Sequence, residues 1–160
     1  MNEKDFLEQV KLNQGIIYKL VSLYAADEEE KKDMYQEVLL QAWKSFGSFR
    51  REAKFSTWLY RVTLNTILTQ KRKGTIIYYT DSIEEFGEGI HHDTITVPSF
   101  NSVKEIVRRL PETDRAIISM HLDGYENGEI ATVIGISNNH VAVKLHRIKQ
   151  QLTNYLKLER

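Results

Sequence analysis

The chain of 160 residues contains no cysteine. That excludes a disulfide framework, a thiolate-held metal and a thiol switch within it, and it suits a reducing compartment. No apolar run approaches the roughly 20 residues that cross a bilayer, and residues 1–6 lack the basic start of a secretion signal. A cytoplasmic protein without direct membrane insertion is therefore expected. Catalytic signatures are missing as well. There is no phosphate-cradling glycine loop, the Glu84-Glu85 pair falls in a segment without helical period, and the five histidines have no nucleophile partner. His91, His92 and Asp93 are adjacent and have no further cluster, which argues against a metal site. No enzyme activity and no cofactor is expected. With 41% hydrophobic and 28% charged residues the chain is globular rather than disordered.

Net charge is absent too, since 22 Lys/Arg face 22 Asp/Glu, but the charges are segregated. Residues 1–43 carry minus four, residues 44–73 plus seven, residues 74–105 minus five and residues 106–160 plus two. The whole-chain balance is consequently a poor guide to partners. The 44–73 block holds eight basic residues against one acid, Glu52, interleaved with Phe46, Phe49, Phe55, Trp58 and Tyr60. Cations neutralise phosphates and flat rings hold unstacked bases, so this composition points to nucleic acid.

The periodicity predicts an all-α protein of two small helical domains. Phe6, Val10, Ile17, Leu20 and Tyr24 recur at helical spacing, with Asn13 and Gly15 softening the middle. A second helix follows the acidic turn at 27–30 and runs to about Phe46, with Met34, Val38, Ala42 and Phe46 on one face. Asp33, Gln36, Glu37 and Leu40 fall on the opposite face. A leucine exposed among polar neighbours is a candidate protein contact. Gly47 and Ser48 end that helix, and Ser56 is expected to cap the next, whose buried side holds Phe55, Trp58, Leu59 and Val62. Arg61, Asn65, Leu68 and Arg72 share another face. Residues 47–54 then form a short basic loop bearing Phe49, Arg50, Arg51 and Lys54, placed to catch a flipped base while the following helix lies along a phosphate strand.

Residues 74–100 are rich in acids and β-branched residues, are punctuated by Gly74, Gly87, Gly89 and Pro98, and are expected to form an acidic flexible linker. Two readings of its acidity stand side by side, ordinary solubility and occupation of a basic channel. Domains are expected at 1–73 and 101–160. In the second, a helix over 101–109 stops at Leu110-Pro111, and Pro111 suits the first turn of a helix over 112–122. Ala131, Gly135 and Val141 then have the spacing of a helix-turn-helix: a small residue for close approach, a glycine for the turn and an apolar plug. Ile130, Ile134, Ile136 and Leu145 complete its core. Ser137 caps the recognition helix, whose buried stripe continues through Ile148, Leu152 and Tyr155. Its outward side holds Asn139, Val143, His146, Arg147 and Gln150, flanked by His140 and Lys144.

These residues resemble a family. Asp33-Met34-Tyr35-Gln36-Glu37, the run from Phe55-Ser56-Thr57-Trp58-Leu59 with Arg61, Asn65 and Arg72, Leu110-Pro111, and Glu129-Ile130-Ala131 followed by Gly135-Ile136-Ser137 are similar to the motifs of the extracytoplasmic-function sigma factors. The similarity covers nearly everything outside the linker, in the same order. It implies a factor that binds bacterial core RNA polymerase and directs promoter recognition, melting and initiation. By the resemblance, Asp33, Gln36 and Glu37 dock on the β′ clamp, and Leu40 joins them as an inference from the helix face. Phe49, Arg50, Arg51, Lys54, Trp58, Arg61, Asn65 and Arg72 recognise and melt the −10 element. The linker runs through the polymerase cleft. Ser137, Asn138, Asn139, His140, Val143, Lys144 and Arg147 read the −35 element in a domain that also touches the β flap. An anti-sigma partner is implied as well.

The recognition helix departs from the family pattern. Thr, Lys, Ser and Arg are frequent where this chain has His140, Ala142, Val143 and Lys144, so a phosphate contact is lost at Ala142 and Val143 offers apolar contact alone. The competing reading is a two-domain regulator that binds duplex DNA without joining the polymerase; a preference for single-stranded or forked DNA in the N-terminal half separates the two. A pure protein-interaction module is disfavoured by the plus-seven block.

Overall fold

The computed structural model describes residues 2–73 and 102–158, and these residues form helices without strands in two compact units. The linker expected over 74–100, with His91, His92 and Asp93, lies outside the described residues.

In the N-terminal unit, helix α1 spans Glu3–Tyr24. Its first turn is fixed by a reciprocal cap: the Asn2 side chain accepts from the Asp5 N–H at 3.0 Å, and the Asp5 carboxylate accepts from the Asn2 N–H at 3.2 Å. All five residues of the predicted apolar stripe are buried. Gly15 and Asn13 do not interrupt the helix, since the Asn13 amide donates back to the Gln9 carbonyl at 2.8 Å. Helix α2, Glu28–Ser45, is capped by Asp27, whose carboxylate accepts from the Glu30 N–H at 2.8 Å. Three glutamates in its first turn complement the helix dipole. Met34, Val38, Ala42 and Phe46 are buried, as their spacing predicts.

A 3-10 turn at Phe46–Ser48 and a loop lead into α3, Phe55–Lys73, which packs against both α1 and α2. The helix begins at Phe55, one residue before the cap expected at Ser56. Leu59, Tyr60 and Ile67 are fully buried and form the centre of this unit. The buried hydroxyls of Thr63 and Thr66 donate to the carbonyls of Leu59 and Val62, so they cost no unsatisfied donor.

Among the described residues the second unit has four helices: α4 (Ser102–Arg108), α5 (Glu112–Leu122), α6 (Asn127–Ile134) and α7 (Asn138–Leu158). Pro111 occupies the residue before α5, and the Arg115 Nε donates to the Leu110 carbonyl at 2.7 Å across that junction. Gly135 ends α6 at φ +85°, a left-handed conformation that glycine adopts without steric cost. Its N–H and that of Ile136 both bond the Ala131 carbonyl, turning the chain into α7. Ile106, Ile117, Ile118, Met120, Ile130, Val141 and Ile148 fill the core. Gly135 and Val141 thus occupy the places that the helix-turn-helix spacing assigns them.

Candidate nucleic-acid interface and the acidic face of α2

Two faces of the N-terminal unit follow from how its helices pack. Because Met34, Val38 and Ala42 turn inward, α2 presents Asp33, Gln36 and Leu40 to solvent, with Glu37 half-buried and accepting from the Gln41 amide at 2.9 Å. Leu40 is 46% exposed, and Trp43, one turn further, is 47% exposed. Sequence reasoning missed Trp43, although its spacing of three from Leu40 puts both on one surface. The indole rests on the buried Phe6 ring at 5.1 Å, so it is propped outward rather than loosely held. This face therefore joins an acidic, polar end to two apolar side chains.

The second face is built on an aromatic cluster. Phe46 and Phe55 are buried, and Phe49 and Trp58 sit half-buried above them. Phe49 lies 6.3 Å from Phe46 in a near-parallel stack, 5.7 Å from Phe55 edge-on and 5.3 Å from Trp58. Tyr60, one of the five rings interleaved with the basic residues, is fully buried, beneath the Lys19 ammonium 5.1 Å from its centroid. Burial lowers the Lys19 pKa to about 8. Phe49 and Trp58 are the rings with an accessible side. Around them Arg50, Arg51 and Lys54 are exposed, and Arg51 has φ +57°, a left-handed conformation that a non-glycine residue adopts at a cost of about 1 kcal/mol or more. Along α3, Arg61, Asn65 and Arg72 are exposed on the predicted face, with Leu68 half-buried between them.

In the second unit, the Ser137 hydroxyl accepts from the His140 N–H at 3.1 Å, the cap expected of it. Asn138, Asn139, Val143 and Arg147 are exposed, and His140 is half-buried. Lys144 requires a correction. It is 6% exposed, and its Nζ lies 3.1 Å from Asp114 Oδ1 in the first turn of α5. Its expected place beside the outward face is wrong because α5 covers that flank of α7 and supplies the carboxylate that compensates the buried charge. Helix α7 has no Asp or Glu in its 21 residues.

Two helical units, one carrying a basic loop over an aromatic cluster and the other a capped helix-turn-helix, define a two-unit helical protein of the helix-turn-helix class. Comparison with known proteins makes the assignment narrower. The chain matches Sigma-70 region 2 over residues 10–75 and Sigma-70, region 4 over residues 100–152. It is 25% identical to the ECF RNA polymerase sigma factor SigW of Bacillus subtilis across 95% of this chain and 89% of that protein. It is 27% identical to the ECF RNA polymerase sigma-E factor of Escherichia coli across 96% and 87%. Among solved structures, the sigma factor RpoE in complex with the anti-sigma factor NepR from Bartonella quintana has the same fold, with a TM-score of 0.72 at 21% identity over 98% of this chain and 99% of that one. CnrH in complex with the cytosolic domain of CnrY gives 0.70 at 19% over 99% and 92%. The chain belongs to the extracytoplasmic-function sigma factors, and it directs promoter-specific transcription initiation.

Proposed function

We propose that the three exposed surfaces divide the work of initiation. The α2 face, through Asp33, Gln36, Glu37 and Leu40 with Trp43 added, docks on the β′ clamp of core RNA polymerase. Residues 1–73 then act as the −10 module, residues 74–100 as the linker through the polymerase cleft, and residues 101–160 as the −35 module against the β flap. Catalysis belongs to the polymerase, and this chain contributes binding energy. The observation that carries the reading is the half-buried Phe49–Trp58 pair on a floor of Phe46 and Phe55, ringed by Arg50, Arg51 and Lys54.

The energetics suit strand capture. Taking a base out of the duplex costs a few kcal/mol, and stacking it on an aromatic ring returns about 1–3 kcal/mol. The remainder is supplied by cations that neutralise the separated strand, here the loop residues with Arg61 and Arg72, while Asn65 can bond a base edge or sugar. A regulator acting on duplex DNA alone has no use for such a platform. The sigma factor RpoE of Bartonella quintana is found in complex with an anti-sigma factor, NepR, so an anti-sigma protein covering the α2 and DNA faces is proposed for this chain too.

The test is transcription by purified bacterial core polymerase from a library of promoter fragments, with the chain and with Asp33→Ala/Gln36→Ala/Glu37→Ala. Specific initiation that vanishes in the triple variant supports the proposal. Duplex binding with no association with polymerase rejects it. If core polymerase binds the chain equally well in the presence of every candidate inhibitor, the anti-sigma proposal fails.

A further inference from the structure

The Asp114 carboxylate takes Lys144 out of the cations available to DNA on α7, which changes how that helix can be held. Asn139, Val143, His146 and Gln150 are all exposed, and at about 100° per residue they fall within roughly 60° of one another, as a single stripe. Arg147 and Lys149, also exposed, lie about 70° to one side of that stripe and about 90° to the other. Only two positions separate them, or about 3 Å along the axis, so they stand almost level on opposite flanks. No other cation of α7 lies on the flank of Lys149, where Ala142 and Thr153 are its neighbours. No carboxylate of α7 lies beside Lys149.

A helix with its side chains is about 10–12 Å across, and the major groove is about 12 Å wide between its phosphate walls. A helix seated with its stripe on the floor of the groove therefore presents one cation to each wall. We propose that Arg147 and Lys149 clamp α7 in the major groove by neutralising phosphates on the two opposite strands. With Lys144 buried, Arg147 serves the wall on its own flank and Lys149 the opposite one. The proposal rests on the reading of α7 as the −35 helix, and its ligand is the promoter duplex. Phosphate contacts of this kind set the depth and rotation of the helix and carry no sequence information, which remains with the stripe.

The experiment uses holoenzyme formed from the full chain and core polymerase, on a promoter recovered from the transcription library and on the same promoter with one −35 base pair changed. Lys149→Gln is expected to weaken both by the same factor and to lower the slope of log affinity against log salt by about 0.9. Lys149→Arg should restore the slope. Phosphate ethylation that interferes with the wild type should cease to matter on one strand for Lys149→Gln and on the other strand for Arg147→Gln. An unchanged slope for Lys149→Gln, or loss of interference on the same strand for both variants, overturns the clamp. Val143→Glu keeps the two levels apart. If it weakens binding while Lys149→Gln is silent, the clamp alone is wrong. If it alters neither affinity nor base preference, the reading of α7 falls and the clamp with it.

Discussion

Lys144→Met removes one end of an ion pair whose side chains are 8% and 14% exposed and 3.1 Å apart. The methionine keeps the aliphatic stem, so packing is preserved and the loss is that of the charge. Removing one partner of a buried pair typically costs about 3–5 kcal/mol, because the other charge is left without compensation. The lower end applies here, since Asp114 retains some contact with water. A domain of about 60 residues is stabilised by roughly 3–9 kcal/mol, so this single change should remove about a third or more of the second unit's stability. Pairing it with Asp114→Leu should recover most of the loss, because the double variant no longer buries a lone charge. The two units can be followed separately. Both tryptophans, Trp43 and Trp58, lie in the N-terminal unit, so their fluorescence reports on that unit, whereas helical circular dichroism reports on both. In urea, Lys144→Met should shift part of the dichroism transition and leave the fluorescence transition in place. A stability loss under about 1 kcal/mol together with a lowered salt slope for promoter binding would refute the reasoning and return Lys144 to the DNA surface.

Three further outcomes are expected. The Lys19 pKa of about 8 lies below its ordinary value of 10.5, so the unfolded chain binds the extra proton between those limits, and this group makes the N-terminal unit more stable as pH rises from 8 to 10.5. Burial and the Tyr18 hydroxyl raise Tyr35 from 10.0 to about 12, which has the opposite sign and lowers stability between pH 10 and 12. Tryptophan-monitored stability should therefore peak near pH 10, and Lys19→Met should abolish the rising limb; an identical profile in that variant contradicts the assignment. Gly15→Ala, in a helix interior with open space around it, should stabilise the same unit by about 1 kcal/mol, while Gly135→Ala at φ +85° should cost the second unit about 1–2 kcal/mol, both read from urea midpoints. Trp43→Ala should weaken association with core polymerase by about 2 kcal/mol or more, with the folded fraction checked by dichroism. Unchanged polymerase affinity would remove Trp43 from the docking face.

The parts of this protein that sequence alone determines are local ones. Stripes of apolar residues at helical spacing, Ser137 before the last helix, and a glycine followed six positions later by valine specify α1, α2, the Ser137 cap and the Gly135 turn, because each acts through hydrogen bonds and dihedral angles within a few residues. The exposed faces followed wherever the buried stripe was clear: Asp33, Gln36 and Leu40 opposite Met34 and Val38, and Arg61 and Asn65 away from Leu59. What the tertiary structure alone decided depends on which neighbour covers a side chain. Tyr60 has the composition of a base-stacking ring, yet it lies wholly in the core of the unit in which α1 and α2 pack on α3. Lys144 reads as a flanking DNA contact until α5 brings a carboxylate from 30 residues away. Trp43 becomes a surface feature because Phe6 of another helix supports it from behind. Burial and charge compensation are properties of pairs distant in the chain, and no periodicity along a single helix contains them.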